Sequence, residues 1–201
     1  MAALITVFGG SGFLGREIVR QLAAKGCHVR VAVRQPDRVT FPKLSDAPGR
    51  VTTLAADIGN DISVSQALSG ASAVVNAVSL YAERGDATFV AVHVKGAQRL
   101  ARQAAKAGLE RLVHLSGVGV DARSSSSYIR ARAGGEKVVL DAFPLATILR
   151  PSVMFGPGDT TFTALASLIR RSPILPLFGR GGTRLQPVYV GDVAAAAVMA
   201  L

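Results

Sequence analysis

The chain has 201 residues, of which 49% are hydrophobic and 18% charged; this composition is typical of a globular domain and excludes a disordered chain. A single cysteine, Cys27, excludes a disulfide framework and a cysteine-built zinc site. The net charge of +10 favours an anionic partner, but the basic residues form no run of three and accompany no nucleic-acid motif, so we expect no nucleic-acid binding.

No segment of the sequence is predicted to cross a membrane. The longest apolar run, Val193–Leu201, is much shorter than the roughly 20 residues of a spanning helix. The residues after Met1 lack the pattern of a secretory signal. We therefore predict a cytoplasmic protein without a transmembrane segment. Its three histidines are scattered singly, so a histidine-built metal site is not expected.

Short apolar runs alternate with longer helical segments along residues 1–150. Runs without polar alternation are typical of parallel strands that are buried on both faces. The alternation predicts an α/β, Rossmann-type, doubly wound parallel sheet with strand order 3-2-1-4-5-6. The predicted strands are Leu4–Phe8, Val29–Val33, Val51–Ala55, Ala73–Ala77, Arg111–Leu115 and Ala146–Leu149. The predicted helices are Phe13–Lys25, Val64–Leu68, Thr88–Ala107 and Tyr128–Asp141, and Gln35–Gly49 is predicted as a surface loop.

The regular alternation stops after Arg150, where prolines and glycines become frequent. One helix is predicted at Phe162–Arg171, and a last one begins at Gly191–Asp192 and continues to the end of the chain. We therefore predict two parts: a Rossmann domain of residues 1–150 and a small C-terminal lobe of residues 151–201. Because the chain stops inside a helix, the lobe is expected to be incomplete.

A glycine-rich turn joins the first predicted strand to the first helix. Its three glycines have distinct expected roles: a sharp turn at Gly9, close approach of the backbone to a pyrophosphate at Gly12, and tight helix–strand packing at Gly15. The helix N-terminus adds free N–H groups and a positive dipole end. A turn without a ligand is the alternative, but its place at the first βα junction favours dinucleotide binding. The predicted cofactor-binding residues of this turn are Gly9, Gly10, Ser11, Gly12, Phe13, Leu14 and Gly15.

The end of the second strand indicates which dinucleotide is bound. An acidic residue there would hydrogen-bond the adenosine ribose and indicate NAD(H). The sequence instead has Arg34 at this point and Arg38 four residues later. A guanidinium can pair with a 2′-phosphate and stack on adenine, so NADP(H) is favoured, with NAD(H) as the alternative.

Several further segments resemble one known family, the extended and atypical short-chain dehydrogenases/reductases. These segments are Gly9-x-x-Gly12-x-x-Gly15, Ala56–Asp57–Ile58, Asn76–Ala77–Val78, Tyr128 with its helix, Arg150–Asp159 and Pro187–Val193. The resemblance implies that Asp57 and Ile58 contact the adenine. It also implies that Asn76, Ala77 and Val78 lie beside the cofactor and that Pro151, Ser152 and Val153 flank the nicotinamide.

The same resemblance implies a catalytic tyrosine, which here is Tyr128. In active members a lysine four residues later lowers the pKa of the tyrosine and holds the nicotinamide ribose. This sequence has Arg132 there, which is therefore the candidate for both the catalytic and the cofactor-binding role. Arginine keeps the positive charge but cannot release a proton. The family's catalytic Ser or Thr falls near Gly117, which leaves Ser116 as the nearest candidate and Ser124–Ser127 as substitutes. A tyrosine that packs beside the cofactor without chemistry is the alternative.

Within this family the sequence is most similar to the nucleotide-binding accessory subunits of respiratory complex I and their bacterial relatives. The similarity rests on Phe8 with Gly10–Arg16, Val92–Ala97, Arg111–Ser116 and Gln186–Ala194. It implies tightly held NADP(H) with a structural role, and a larger respiratory or quinone-related complex as partner. The basic charge allows contact with an anionic membrane surface, so that the protein would lie peripheral to the inner membrane. The alternative is an NAD(P)H-dependent oxidoreductase or epimerase that uses Tyr128 as its acid/base.

Overall fold

The computed structural model describes residues 3–41, 47–171, 182 and 184–201. Within these residues six parallel strands form one sheet in the order β3-β2-β1-β4-β5-β6, so the prediction of a Rossmann-type doubly wound sheet is confirmed. Each strand lies within one residue of its predicted bounds. The strands are β1 Leu4–Phe8, β2 His28–Val33, β3 Val51–Ala55, β4 Ala73–Asn76, β5 Arg111–Leu115 and β6 Thr147–Leu149.

Helices cover both faces of this sheet, as expected for right-handed βαβ units. They are α1 Phe13–Ala24, α2 Asp61–Leu68, α3 Ala97–Lys106, α4 Ser127–Ala142 and α6 Val190–Met199. A further helix, α5 Thr161–Arg171, belongs to neither core layer. A π-helical segment, Val90–Gly96, leads directly into α3, and a short 3₁₀ turn covers Pro36–Arg38. A second, two-stranded parallel sheet pairs β7, Met154–Phe155, with β8, Val188–Tyr189.

Two local features differ from the sequence prediction. The single helix predicted at Thr88–Ala107 is divided, because its first half adopts the wider π conformation, in which buried His93 places Nε2 3.0 Å from the carbonyl oxygen of Leu80. Helix α2 begins three residues earlier than predicted, because the side chain of Asn60 accepts a hydrogen bond from the Ser63 N–H at 2.9 Å and caps it. The Gln35–Gly49 loop contains the 3₁₀ turn, and its residues 42–46 lie outside the described residues.

The core has two layers, one on each face of the sheet. One layer packs α1 and α6 on the strands, with Ile18, Val19 and Ala194 fully buried. The other packs α2, α3 and α4 on the opposite face, with Val64, Leu100 and Val139 equally buried. Because helices cover both faces of the sheet, the carboxyl ends of its strands form the accessible edge. The strand order reverses between β1 and β4, which makes the carboxyl end of these two strands the switch point of the sheet.

Candidate functional site

The glycine-rich turn lies at this switch point. Gly9 has a φ of +75°, and the Gly12 N–H donates to its carbonyl oxygen at 3.0 Å. A Cβ on Gly9 would lie 2.6 Å from the carbonyl carbon of Ala77, and a Cβ on Gly15 would collide with the carbonyl oxygen of Gly9. The turn therefore packs tightly against β4 and α1. Gly12 caps α1 without a side-chain hydrogen bond, so the first N–H groups of the helix are available to an anion.

Two cavities meet at this turn, one of about 280 Å³ and one of about 200 Å³. They share four lining residues: Gly12, Ala77, Val78 and Ser79. We call them the β1–β3 cavity and the α4 cavity. Of the predicted site residues, the β1–β3 cavity brings together Gly9, Ser11, Gly12, Arg34, Asp57, Ile58, Ala77 and Val78. The α4 cavity brings together Gly12, Phe13, Leu14, Gly15, Ala77, Val78, Ser116, Arg132 and Pro151.

The remaining predicted residues line neither cavity. Gly10 lies beneath the turn, where a Cβ would meet the side chain of Val31 at 2.7 Å. Asn76 is buried and accepts the Val78 N–H at 3.2 Å, so it shapes the lining segment without facing the cavities. Arg38 is exposed in the 3₁₀ turn and lines neither cavity. The same holds for Tyr128, Ser152 and Val153.

Arg34 lies at the far end of the β1–β3 cavity, directly after β2. It is exposed and also lines a neighbouring groove of about 460 Å³ together with Asp57 and Asn60. The Asp57 carboxylate accepts the Gly59 N–H at 2.7 Å. Arg34 forms no salt bridge with any other residue that the structure describes. Its guanidinium can therefore bind an incoming anionic group without first breaking an ion pair.

Arg132 extends from α4 into the wall of the α4 cavity, where it is 8% exposed. Its Nη1 donates to Ser79 Oγ at 3.1 Å and to the Tyr128 hydroxyl at 3.3 Å, and its Nη2 donates to the Leu115 carbonyl oxygen at 3.0 Å. Among the described residues, its buried Nε and the buried hydroxyl of Ser116 have no hydrogen-bond partner. The cavity wall thus holds a fixed cation and two unsatisfied polar atoms.

Tyr128 lies behind Arg132 in a cluster of aromatic rings. Its ring centroid is 5.4 Å from that of Phe89, 5.5 Å from His93 and 5.9 Å from Tyr81. The Arg132 guanidinium carbon lies 5.6 Å from the same centroid. Packing and a cation–π contact therefore hold the ring, while its hydroxyl accepts the hydrogen bond from Arg132.

Glu136 and Arg150 join α4 to the segment that follows β6. Glu136 Oε1 accepts from Arg150 Nε at 2.9 Å, and Oε2 accepts from Nη2 of the same guanidinium. Burial raises the pKa of the Glu136 carboxyl, but the hydrogen bonds and the positive charge of Arg150, together with weaker contributions from neighbouring polar groups, hold this pKa below its ordinary value. The pair fixes the start of the segment that contributes Pro151 to the α4 cavity.

His114 is the fourth of the five residues of β5 and pairs with Asn76 of β4. Asn76 Nδ2 is 3.1 Å from His114 Nδ1, an arrangement in which the neutral ring accepts a hydrogen bond. Burial lowers the pKa of His114 to about 4, and the positive charge of Arg132 acts in the same direction. His114 is therefore a neutral, structural polar group at pH 7.

Sequence reasoning missed several residues that line the cavities. Ser79 lines both and accepts from Arg132, although the predicted segment ends one residue earlier at Val78. Met154 lies inside the family-like segment Arg150–Asp159, directly after the last predicted cofactor residue Val153, and lines the α4 cavity. In both cases extending the predicted segment by one residue would have found the contact. Tyr81 has no comparable sequence signal, because the loop after β4 brings it to the cavity.

The described part of the chain holds neither a cluster suited to a metal ion nor a membrane-spanning helix. No group of three or more His, Cys, Asp or Glu side chains there could hold a metal ion. Across those same residues, the structure has no helix with the length and apolar character needed to cross a membrane.

Curated proteins similar to this chain include subunits of mitochondrial NADH dehydrogenase. The chain is 37% identical over 198 residues to the Arabidopsis thaliana protein named NADH dehydrogenase [ubiquinone] 1 alpha subcomplex subunit 9, covering 98% of the chain and 49% of that protein. It is 34% identical to the ceramide reductase of Caulobacter vibrioides, covering 96% of the chain and 59% of the relative. The chain thus spans only about half to three-fifths of the length of these relatives.

Solved structures share the fold. The dTDP-glucose 4,6-dehydratase DesIV of Streptomyces venezuelae, solved as a double mutant with NAD and DAU bound, superposes with a TM-score of 0.76 at 25% identity, covering 98% of this chain and 72% of that one. The Bordetella bronchiseptica enzyme WbmG in complex with NAD also has a TM-score of 0.76, at 17% identity, covering 100% and 69%. A sequence model described as "NAD dependent epimerase/dehydratase family" matches residues 5–201. The chain belongs to the NAD dependent epimerase/dehydratase family.

Proposed function

We propose that this chain binds NADP(H) across the carboxyl ends of its strands, as the nucleotide-binding part of an accessory or assembly subunit. The observation that carries the proposal is the junction of the two cavities at Gly12, where the uncapped N-terminus of α1 begins. Such a helix end favours the pyrophosphate that connects the two halves of a dinucleotide. Family membership supports a nicotinamide cofactor.

The residues present fit such a cofactor at both ends. Next to the turn, the absence of a side chain on Gly12 leaves room for a phosphate to approach the backbone. In the α4 cavity, Arg132 Nε and Ser116 Oγ are buried with no partner among the described residues, and polar groups of a bound nicotinamide ribose would satisfy them. The nicotinamide group supplies hydride chemistry when bound, and the protein positions it.

Arg34 supports NADP(H) over NAD(H). It stands where an acidic residue would bind the ribose hydroxyls, and it is exposed at the end of the β1–β3 cavity without an ion pair among the described residues. A 2′-phosphate at this position would form a bidentate pair with the guanidinium. NAD(H) remains the alternative, and the comparisons include NAD-bound structures.

The first experiment identifies the nucleotide that the purified full-length protein carries without added cofactor. Denaturation followed by mass spectrometry is expected to release NADP(H) in near-stoichiometric amount, since a structural ligand remains bound during purification. Release of NAD(H) instead would overturn the role given to Arg34. An empty protein that binds neither nucleotide when titrated would overturn the binding proposal itself.

A matched pair of arginine variants tests the specificity. Arg34→Ala is expected to weaken NADPH binding by roughly tenfold to a hundredfold, the usual range for a lost charge-assisted pair, and to leave NADH binding nearly unchanged. Arg38→Ala serves as the control, because Arg38 is exposed four residues away and lines neither cavity. Isothermal titration with both nucleotides measures the difference. Equal losses for NADPH and NADH in Arg34→Ala would contradict a 2′-phosphate contact.

The accessory role rests on the polar groups of the α4 cavity. Arg132 replaces the lysine of active family members, Gly117 replaces the hydroxyl residue, and Tyr128 lies behind Arg132 rather than at the cavity surface. Relatives named as subunits of mitochondrial NADH dehydrogenase support a respiratory complex as the partner. A bound nucleotide would then stabilise the fold without being turned over.

An NAD(P)H-dependent oxidoreductase is the second candidate. It is favoured by the relative named ceramide reductase and by the hydrogen bond from Arg132 to the Tyr128 hydroxyl, because a neighbouring cation stabilises a phenolate. The test is NADPH oxidation with carbonyl-bearing lipids, comparing the wild type with Tyr128→Phe. Turnover that the variant loses would establish this candidate. Nucleotide binding without turnover in both proteins would support the accessory role.

A further inference from the structure

Helix α5 presents an exposed apolar face. Leu165, Leu168 and Ile169 are 43%, 40% and 54% exposed. Their i, i+3, i+4 spacing places them on the same side of the helix. We call these three residues the α5 face. Large apolar side chains that are grouped in this way, rather than scattered, indicate a surface that contacts a partner.

Side-chain contacts hold the first turn of α5 in place, and the α5 face lies in the turns that follow. The Asp159 carboxylate accepts the N–H groups of Phe162 and Thr163 at 2.8 and 3.1 Å, which caps the helix. The Phe162 ring packs edge-to-face on Phe155, with centroids 6.5 Å apart, and Phe155 in turn lies 5.8 Å from Tyr189. These contacts hold the helix in place and leave its second half exposed to a partner.

The charged side chains of α5 itself are all basic. The last turn of α5 ends in Arg170 and Arg171, both exposed. In the sequence between Asp159 and Asp192 there are four arginines and no acidic residue. At about 100° per residue, the two arginines flank the α5 face on either side. An apolar stripe flanked by cations is the arrangement of helices that lie in the plane of an anionic membrane surface.

We propose that the α5 face docks on a lipid bilayer that carries anionic headgroups, with Arg170 and Arg171 binding the phosphates. A helix of 11 residues would lie in the interface without spanning the bilayer. A second copy of this chain is a poorer partner, since a symmetric contact through α5 would bring the same arginines together. The proposal does not depend on the nucleotide bound at the switch point.

Vesicle flotation of the purified full-length protein tests this proposal. Binding is expected to vesicles of phosphatidylcholine with phosphatidylglycerol and to be much weaker with phosphatidylcholine alone. Raised salt is expected to reduce it, because salt screens the arginines. Arg170→Gln with Arg171→Gln is expected to lower the partition coefficient about twenty-fivefold, at roughly fivefold for each arginine. Leu165→Ser with Leu168→Ser and Ile169→Ser is expected to lower it at least about tenfold.

Matched controls separate these effects from general charge and hydrophobicity. Lys25→Gln with Lys106→Gln removes the same charge from exposed positions on α1's end and α3, and Leu140→Ser with Leu145→Ser removes exposed apolar side chains elsewhere. Both controls are expected to bind as the wild type does. Equal losses in the controls would overturn the proposal.

Two further results would overturn it. One is wild-type protein that does not bind the anionic vesicles. The other is self-association, measured by light scattering without vesicles, that the apolar variant abolishes, because the α5 face would then be a contact between copies. The arginine variant keeps the test decisive if the apolar variant fails to fold, since it changes only exposed charges.

Discussion

Gly12 and Gly15 lie three residues apart in one turn, yet their surroundings predict different consequences of the same substitution. A Cβ on Gly15 would collide with the backbone of Gly9 and Gly10, whereas a Cβ on Gly12 would have only the Gly9 carbonyl oxygen nearby, at 3.3 Å. Gly15→Ala is therefore expected to destabilise the fold by about 1–3 kcal/mol. Gly12→Ala is expected to fold with nearly wild-type stability but to bind NADPH poorly.

Chemical denaturation and nucleotide titration of both variants measure these effects. The comparison is internal, because each variant adds the same methyl group to the same turn. A Gly12→Ala protein that binds NADPH as the wild type does would contradict the placement of the pyrophosphate at the N-terminus of α1. Wild-type stability in Gly15→Ala would contradict the tight contact between the helix and the turn.

The buried ring of His114 predicts how stability depends on pH. Its pKa is about 4 in the folded protein and near 6.5 when unfolded, so the unfolded chain binds the proton more readily between these values. The free energy of unfolding is thus at its full value above pH 6.5 and falls as the pH drops toward 4, by roughly 3 kcal/mol. His114→Gln is expected to flatten this decline. Parallel pH curves for the variant and the wild type would contradict the assignment.

At the scale of elements, α2 depends on one capping residue that the periodicity of its sequence did not reveal. Asn60 caps the helix, and Ser63 Oγ, one turn later, donates to the carbonyl oxygen of Asp57 at 3.0 Å. Asn60→Ala is expected to cost about 1 kcal/mol of unfolding free energy. Asn60→Asp, which keeps the acceptor, is expected to cost much less. Urea denaturation of the three proteins compares them, and equal losses in both variants would exclude the cap as the cause.

The strands could be predicted closely because their sequence pattern follows from burial on both faces. Val29, Val31 and Val74 are fully buried, and a strand with no exposed face requires a continuous apolar run. The π-helical segment could not be predicted in this way. Its apolar spacing matches an ordinary helix, and its wider turn accompanies the contact of His93 with Leu80, which lies 13 residues away in a loop.

For the molecule as a whole, the proposed nucleotide should contribute directly to stability. A ligand that binds only the folded state adds about 2.7 kcal/mol at a hundredfold excess over its Kd. Removing the nucleotide is therefore expected to lower the melting temperature, and added NADPH is expected to restore it more effectively than NADH. Differential scanning fluorimetry across a nucleotide series measures this. A melting temperature independent of NADPH would contradict a structural role for the nucleotide.

The sequence by itself determined the class of fold and the location of the glycine turn. Both depend on local patterns: apolar runs reflect burial, and glycines at Gly9, Gly12 and Gly15 reflect backbone approaches that exclude a side chain. Arg34 was found in the same way, because the residue after the second strand always lies at the edge of such a sheet.

Only the tertiary structure decided how the α4 cavity is built. Arg132 meets Ser79 and the Leu115 carbonyl oxygen, which lie 53 and 17 residues away, and this contact network places Tyr128 behind the guanidinium instead of at the cavity surface. Likewise, the exposure of the α5 face depends on which helices find a packing partner. The physical reason is the same in both cases. Hydrogen bonds and burial between distant segments form only when the chain folds, so the local spacing of residues in the sequence cannot predict them.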